Sequence, residues 1–190
     1  MKRQLILASQ SPRRKELLEL AEFTFISHAS DIDETLDSLK PLRDELRRLA
    51  LNKARAAEKD YPGCIVLGAD TTVVMDDVIL GKPKDREDAK RMLKSLSGRT
   101  HEVMTSCAIC CGEHELTWIN TAEVEFYELN DTLIDWYIDT NEPMDKAGAY
   151  GIQGKGALLV KGIHGDFYTV MGLPIADTVR KLSEFEKELE

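Results

Sequence analysis

The first residues that could do chemistry lie at the start of a helix, in the sequence ILASQSPRRKELLEL near the amino end. Pro12 suits the first helical position and Ser11 suits the N-cap, so we predict that the helix begins there. Arg13, Arg14 and Lys15 then place three cations in the first turn, where the helix dipole is already positive. Free backbone N–H groups, the dipole and two guanidiniums favour a bound phosphate. Solvated Arg14 and Lys15 side chains are the alternative.

Two further charged residues occupy positions where charge is unexpected. Lys53 lies on or beside the apolar stripe of a predicted helix, four residues after Leu49, although its stem could equally extend to water. Asp70 directly follows the buried run CIVLGA, and ligands of α/β folds gather at the carboxyl ends of strands. An ordinary Asx-turn would also explain Asp70. The sequence therefore supplies a candidate phosphate ligand and a candidate general base.

Acidic residues and one turn lysine add weaker signals. In the segment DIDE, Asp31, Asp33 and Glu34 could hold a hard cation such as magnesium, which binds through one or two carboxylates plus substrate phosphates. They could equally form a solvated loop. Lys82 follows a turn in the segment GKP. Cations for a polyphosphate, together with carboxylates for a metal or a base, favour phosphoryl or nucleotidyl chemistry. The sequence carries no P-loop motif, and no Rossmann fingerprint follows a strand.

The elements that must position these residues alternate between strands and helices. Hairpins among them exclude a purely parallel sheet, so we predict an α/β fold with a mixed sheet in one continuous unit. The segment from Phe23 to Leu39 is predicted to be looser. The predicted elements are a strand at Leu5–Ala8, a helix from Pro12 to about Ala21, a helix from about Leu42 to Lys59, the strand CIVLGA, a hairpin in TTVVMDDVILGKP, a helix capped by Asp85 and ended at Gly98, strands at His101–Cys111 and Glu115–Leu129, a helix opened by Asn130 or Asp131, and a helix from about Pro174 to Lys187.

Composition restricts the partners of the chain. Its 190 residues include 25 Lys and Arg against 34 Asp and Glu, a net charge of −9. Nucleic acid is not expected as a partner, because the overall field repels its backbone. No apolar run approaches the roughly 18 residues of a membrane span. The apolar segment after Met1 to Arg3 is too short for a signal peptide, so we expect no membrane association and a cytoplasmic location.

Four cysteines are too few for a disulfide scaffold in a chain of this length. Cys107 and Cys110 form a C-x-x-C sequence, which elsewhere marks metal or redox chemistry, but the surrounding VMTSCAICC is predicted to be a strand. Their odd spacing on a strand points the two side chains to opposite faces. We therefore predict reduced cysteines in the core.

Seven segments together resemble the motifs of a known family, in the same order and spacing. They are LILASQSPRRKELL, DIDET, NKA, GADTTV, GKP, and KAGAYGIQGKGALLV followed by GLP. The chain resembles the Maf family of nucleoside triphosphate pyrophosphatases over essentially its whole length. The resemblance implies a single domain over residues 1–190, with a mixed twisted β-sheet flanked by helices and two lobes around a central cleft, as in ITPase-like folds. It also implies a homodimer and a divalent metal cation, Mg²⁺, Mn²⁺ or Co²⁺.

The family resemblance implies a reaction and a role for each matching residue. A nucleoside triphosphate, the small-molecule substrate, would be hydrolysed between its α and β phosphates to a nucleoside monophosphate and pyrophosphate. Asp70 would accept the proton of the attacking water, and Glu34 with Asp70 would bind metal or orient water. The phosphates would be held by Ser9, Arg13, Arg14, Lys53 and Lys82.

Three positions resemble the branch of the family that acts on dTTP and UTP. That branch carries Arg, Thr and Gln where this sequence has Arg13, Thr71 and Gln153. A uracil or thymine edge presents two carbonyl acceptors around one N–H donor, which an Arg and a Gln amide can complement. A guanine edge would leave donors unmatched. The resemblance therefore implies dTTP, UTP or modified pyrimidine nucleotides as substrates.

Two other functions are compatible with parts of the sequence. A phosphatase resembling the haloacid dehalogenase-like superfamily would use Asp70 as a nucleophile, but its motif is D-x-D after a strand and this chain has Thr72 in the second position. A nucleotide-binding regulator of cell division without turnover is the other alternative. The presence of both Asp70 and Lys82 favours catalysis over the regulator.

Overall fold

A computed structural model describes residues 2–28 and 31–190 of the chain. The strands in these residues are β1 (Leu5–Ala8), β2 (Phe25–Ser27), β3 (Ile65–Met75), β4 (Val78–Leu80), β5 (Thr100–Cys111), β6 (His114–Phe126) and β7 (Val160–His164). The α-helices are α1 (Pro12–Leu20), α2 (Leu42–Glu58), α3 (Arg86–Leu96), α4 (Asp131–Asp139), α5 (Phe167–Met171) and α6 (Ile175–Glu188). Short 3₁₀ helices cover Glu142–Asp145, Ala147–Ala149 and Gly154–Leu158. No helix in the described residues is long and apolar enough to cross a membrane.

The seven strands form one mixed sheet, which confirms the predicted α/β class. The strand order is β2-β1-β3-β5-β6-β7, with β4 paired to β3. Strand β1 runs parallel to both of its neighbours, with Leu5 opposite Phe25 on one side and Ile65 on the other. The β3–β4 and β6–β7 pairs are antiparallel. Hairpins and parallel pairs thus share a sheet, as the sequence predicted.

The chain divides into two compact units. The first comprises the described residues of Met1–Asp70, Thr105–Asn120 and Gly172–Glu190, and the second comprises Thr71–Met104 and Thr121–Met171. The expectations of a single domain over residues 1–190 and of a cleft stay predictions.

Small residues on α2 form the core of the first unit. Buried alanines at positions 50, 54 and 57 pack against Ile6, Val66 and Cys110. Gly68 permits this contact, because a Cβ atom there would lie only 2.4 Å from the Ala50 carbonyl oxygen. Helix α2 therefore lies unusually close to β3, at the point in the chain where Asp70 follows.

In the second unit, α3 and α4 supply the apolar core. The buried residues of α3 are Ala89, Met92, Leu93 and Leu96, whose spacing is that of one face of the predicted helix. The Asp85 side chain accepts a hydrogen bond from the Asp88 N–H at 2.8 Å, so the predicted cap is confirmed. Phe126, Tyr137 and Tyr150 join the same core cluster.

Several predicted local features are wrong. Strand β3 does not end at Asp70 but continues to Met75, because the apolar residues after Asp70 form the first strand of the predicted hairpin. The predicted hairpin is confirmed, and its turn lies at Asp76 and Asp77, with φ of 49° and 61°. Ser11 occupies the N-cap position but its side chain makes no capping hydrogen bond. The short elements β2 and α5 are absent from the prediction, since three and five residues are too few to show a period.

Candidate active site

The turn before α1 brings Ser9 and Arg14 together. Ser9 is buried, and its hydroxyl oxygen accepts hydrogen bonds from Arg14 Nη1 at 3.0 Å and from the Ser11 N–H at 3.2 Å. Arg14 Nε donates to the Gly172 carbonyl at 2.8 Å. Burial lowers the pKa of the Arg14 guanidinium, and the nearby Asp70 carboxylate opposes that shift. A guanidinium and a hydroxyl therefore meet at the amino end of a helix, where the dipole favours an anion.

The other two cations of this turn have no acidic residue beside them in the first turn of the helix. Within the part of the chain that the structure describes, half-buried Arg13 and Lys15 make no hydrogen bond or ion pair through their side chains. The charge of Arg13 contributes to the lowered pKa of Arg14. The turn thus carries uncompensated positive charge of the kind that an anion would offset.

A single ammonium group joins two of the predicted catalytic carboxylates. Lys53 Nζ lies 2.6 Å from Asp70 Oδ1 and 2.8 Å from Glu34 Oε1. The Lys53 side chain is 15% exposed, and that of Asp70 is 18% exposed. The Lys53 stem therefore extends to carboxylates rather than to water. Asp70 lies inside a strand, so the Asx-turn explanation for this residue is wrong.

Local sequence explains why Lys53 and Asp70 meet. Lys53 lies one helical turn after Ala50, on the face of α2 that packs against the sheet. Gly68 lets that face approach β3, and Asp70 lies two residues further along the strand. Residues two apart in a strand, such as Gly68 and Asp70, point to the same face of the sheet. Close packing of α2 on β3 thus places the ammonium beside the carboxylate.

The acidic segment does not form the three-carboxylate group that the sequence allowed. Asp33 Oδ1 accepts the Thr35 N–H at 2.9 Å, whereas Glu34 pairs with Lys53. Among residues 2–28 and 31–190, no three His, Cys, Asp or Glu side chains are grouped to hold a metal ion by themselves. Two carboxylates that share one ammonium still fit a hard cation that takes its remaining ligands from phosphates and water.

The remaining predicted residues, Thr71, Lys82 and Gln153, belong to the second unit. Thr71 is half-buried in β3, and Lys82 is exposed in the segment that follows β4. The roles of these three residues stay predictions.

Two hydrogen bonds flank Gln153. Two residues before it, the Gly151 N–H donates to the Tyr137 hydroxyl oxygen at 3.1 Å. Two residues after it, the Lys155 N–H donates to Glu142 Oε2 at 3.1 Å. Tyr137 is one of the buried residues of α4, and helical periodicity does not show where its phenol oxygen will find a partner.

The cysteines lie in the core, as predicted. All four are free; Cys107 and Cys110 are fully buried, Cys111 is buried and Cys64 is half-buried. Burial raises the pKa of Cys107 and of Cys110 to about 12. Cys107 lies near Arg14, whereas Cys110 packs with the alanines of α2, so the two thiols occupy opposite faces of β5. Two side chains on opposite faces of one strand do not converge on a common ligand, which is the geometry that the odd spacing predicted.

Comparison with known proteins identifies the family. The model of the family "Maf-like protein" matches residues 4–185. The chain therefore belongs to the Maf family, and the resemblance seen in its motifs is confirmed.

Named relatives match the chain over nearly their whole length. A dTTP/UTP pyrophosphatase of Bacillus cytotoxicus is 52% identical over 97% of this chain and 96% of that protein. A dTTP/UTP pyrophosphatase of Symbiobacterium thermophilum is 50% identical over 96% of this chain and 94% of that protein. The structure of the Staphylococcus aureus Ham1 protein matches 65% of this chain and 71% of that chain, at 15% identity and a TM-score of 0.43. That structural likeness is too remote to support a conclusion.

Proposed function

We propose that this chain hydrolyses dTTP and UTP at the α–β anhydride, releasing a nucleoside monophosphate and pyrophosphate. Relatives that are half identical over nearly the full chain carry the name dTTP/UTP pyrophosphatase. The observation that carries the proposal is the ion pair between Lys53 and Asp70, at 2.6 Å, in the same unit as Ser9 and Arg14. A general base and phosphate-binding cations are the groups that this hydrolysis requires.

Cationic and hydroxyl groups would bind the triphosphate. Arg13 and Arg14 supply charged N–H donors at the start of α1, and Ser9 has an O–H hydrogen that is not used in accepting its two bonds. Lys53 has three ammonium hydrogens, of which Asp70 and Glu34 engage two. Lys82 would add a further cation. These charges would stabilise the developing pyrophosphate leaving group.

Asp70 would take the proton of the attacking water. The water oxygen forms a bond to phosphorus, the anhydride bond breaks, and its electron pair leaves on pyrophosphate. Lys53 holds Asp70 Oδ1 at 2.6 Å, which orients the carboxylate. A divalent cation, Mg²⁺, Mn²⁺ or Co²⁺, held by Glu34 and Asp70 together with substrate oxygens, would supply charge neutralisation of the phosphates. No covalent intermediate on the protein is required.

Base preference would depend on Arg13, Thr71 and Gln153. A pyrimidine edge with two carbonyls accepts from a guanidinium and from the amide nitrogen of Gln153, while the amide oxygen can accept from the ring N–H. The two backbone hydrogen bonds that flank Gln153 fix the segment that carries it. Ordinary and modified uracil or thymine nucleotides share this edge.

A nucleotide screen tests the proposal. Purified protein with Mg²⁺, Mn²⁺ or Co²⁺ would be incubated with dTTP, UTP, a modified uridine triphosphate, dCTP, dGTP and 7-methyl-GTP. Pyrophosphate and orthophosphate would be measured separately. Pyrophosphate as the sole co-product, with dTTP and UTP preferred, supports the proposal. Orthophosphate with an aspartyl phosphate on Asp70 would instead identify a phosphatase, and binding of dTTP without cleavage would identify a regulator.

The resemblance also implies a homodimer. Analytical ultracentrifugation of the purified chain tests this, since a dimer has twice the 21.4 kDa of one chain. A single monomeric species at micromolar concentration would contradict it.

A further inference from the structure

The first turn of α2 contains a buried carboxylate outside the candidate catalytic group. Glu45 is 2% exposed, on a helix whose other buried residues are Leu or Ala. Arg48 contacts both Glu45 oxygens, with Nη2 at 2.7 Å from Oε2 and Nε at 3.0 Å from Oε1. Hydrogen bonds from Arg48, and then from the Asp37 N–H, lower the pKa of Glu45 to about 2. The Arg48 side chain is 37% exposed, so the buried member of the pair is Glu45. A buried carboxylate needs a partner to offset the cost of losing water, and its presence in an otherwise apolar set of positions suggests a use beyond packing.

Both members of this ion pair also hold the segment that follows Glu34. Glu45 Oε2 accepts the Asp37 N–H at 2.8 Å, and Arg48 Nη2 donates to the Thr35 carbonyl at 2.9 Å. On the other side of Glu34, Asp33 accepts the Thr35 N–H at 2.9 Å. The backbone next to Glu34 is therefore fixed by side chains of α2 and by its own Asp33.

Packing does not hold the Glu34 side chain in place. Its side chain is 62% exposed, and an ion pair to an exposed carboxylate contributes little by itself. Its partner Lys53 lies eight residues after Glu45 on the same helix, a rise of about 12 Å. One rigid helix thus holds both the backbone beside Glu34 and the ammonium that Glu34 contacts. Lys53 in turn contacts Asp70.

We propose that Glu45 and Arg48 are positioning residues, which fix Glu34 relative to Asp70 by holding the backbone of residues 35–37 on α2. This inference rests on the proposed function, because Glu34 has a catalytic role only there. The pair does not touch the substrate; its effect passes through Glu34.

The helix offers a matched control for the test. Arg47 pairs with Asp44 at 3.1 Å, with the same spacing and one residue earlier. Within the residues that the structure describes, neither side chain has a hydrogen bond to the segment of residues 31–40. Arg47→Met therefore removes an arginine of α2 without releasing the Glu34 backbone.

The experiment is a double-mutant cycle on the rate of pyrophosphate release. We expect Arg48→Met to lower kcat for dTTP about tenfold, with KM changed less than about twofold, because misplacement of a catalytic group costs rate more than binding. In the Glu34→Gln background, Arg48→Met should lower kcat less than about twofold. Arg47→Met should leave kcat unchanged. Should Arg48→Met not fold, Arg48→Lys replaces it, since one ammonium cannot reproduce the paired contacts of the guanidinium.

Two results would overturn the inference. One is an equal loss of kcat on Arg48→Met in the wild-type and Glu34→Gln backgrounds, which would mean that Arg48 acts only through general stability. The other is hydrogen exchange at the Asp37 amide that is as slow in Glu45→Leu as in the wild type, since Glu45 accepts the hydrogen bond of that amide. This exchange measurement needs no turnover, so it tests the backbone contacts separately from the activity. Absence of pyrophosphate release by the wild-type protein would contradict the proposed function instead.

Discussion

The ammonium of Lys53 and the carboxylate of Asp70 come from α2 and β3 and meet at 2.6 Å. They lie 17 residues apart in the chain, and a second carboxylate, Glu34, lies 2.8 Å from the same ammonium. Both carboxylates are thereby held within reach of one cation, although like charges repel each other. Lys53 therefore holds both carboxylates in position without a bound substrate.

Asp70→Asn should strongly lower turnover while dTTP binding persists. The amide is nearly isosteric with the carboxylate but cannot accept the proton of water, whereas the cations that bind phosphate remain. We expect kcat to fall about 10²- to 10⁴-fold. Pyrophosphate release measures the rate, and calorimetry measures binding. Asp76→Asn, in the turn between β3 and β4, is the control; near-normal rates for Asp70→Asn would remove Asp70 from its role.

Lys53 and Asp70 should be thermodynamically coupled. Lys53→Met leaves two carboxylates without their shared counter-charge, so Asp70→Asn should cost less in the Lys53→Met background than in the wild type. We expect a coupling free energy of about 1–2 kcal/mol, because both side chains are mostly buried. Urea unfolding of the four variants measures it. The exposed pair Lys161–Glu125 is the control, with a coupling of about 0.5 kcal/mol or less. Additive costs at Lys53 and Asp70 would contradict the prediction.

Gln153→Ala should relax the preference for the base and preserve the chemistry. Loss of the amide removes one donor and one acceptor opposite the pyrimidine edge, while Asp70 and the phosphate ligands stay in place. The kcat/KM values for dTTP, UTP and dGTP should therefore converge, chiefly through a loss for the first two. An unchanged ranking of the three nucleotides would refute the role of Gln153.

His101 should make the fold less stable in acid. It is 3% exposed, and its Nε2 lies 2.7 Å from the Tyr150 hydroxyl, while Nδ1 has no partner among the described residues. Burial lowers the pKa of His101 from 6.5 to about 4. At pH values between 4 and 6.5, His101 binds a proton in the unfolded chain but stays neutral in the folded chain. The free energy of unfolding therefore falls as the pH drops from 6.5 towards 4. The shift corresponds to roughly 3 kcal/mol.

Unfolding free energies at pH 7 and pH 4 test the role of His101. The wild type should lose about 3 kcal/mol more than His101→Gln over this interval, since glutamine does not titrate. The exposed His164 provides the control variant, His164→Gln, which should follow the wild type. Glu45, whose pKa is lowered from 4.5 to about 2, contributes stability that is lost as the pH falls through this range, and this loss is equal in the wild type and in His101→Gln. If the unfolding free energy fell by the same amount in the wild type and in His101→Gln between pH 7 and pH 4, the imidazole would not stay buried and uncharged in the folded protein.

One thiol should react in the folded protein. Cys64 is half-buried, whereas Cys107, Cys110 and Cys111 are buried. The pKa of Cys107 and of Cys110 is about 12, so both remain protonated thiols, which react slowly. Titration with a disulfide reagent should give one fast equivalent per chain and four after unfolding. A disulfide found by mass spectrometry, or several fast equivalents, would contradict the predicted reduced core.

Much of the fold was accessible from the sequence alone, because patterns within one element reflect the burial of that element. The helical spacing of α3 and its Asp85 cap, the turn at Asp76 and the opposite faces of Cys107 and Cys110 are all local, and the structure agrees with each. The anomalous charges at Arg14, Lys53 and Asp70 were also visible as departures from such patterns. Short elements such as β2 and α5 escaped prediction because they contain less than two periods of signal.

Only the tertiary structure decided which charges meet. Periodicity left Lys53 equally able to reach water, and the approach of α2 to β3 across Gly68 turned it towards Asp70. Tertiary packing also decided that Glu45 and Arg48 form hydrogen bonds with the backbone beside Glu34. It likewise brought the Tyr137 hydroxyl to the Gly151 N–H. The physical reason is that a sequence pattern reports which face of an element is buried, whereas an ion pair or hydrogen bond depends on the distance and orientation between two elements. That distance is set by the packing of whole elements against one another.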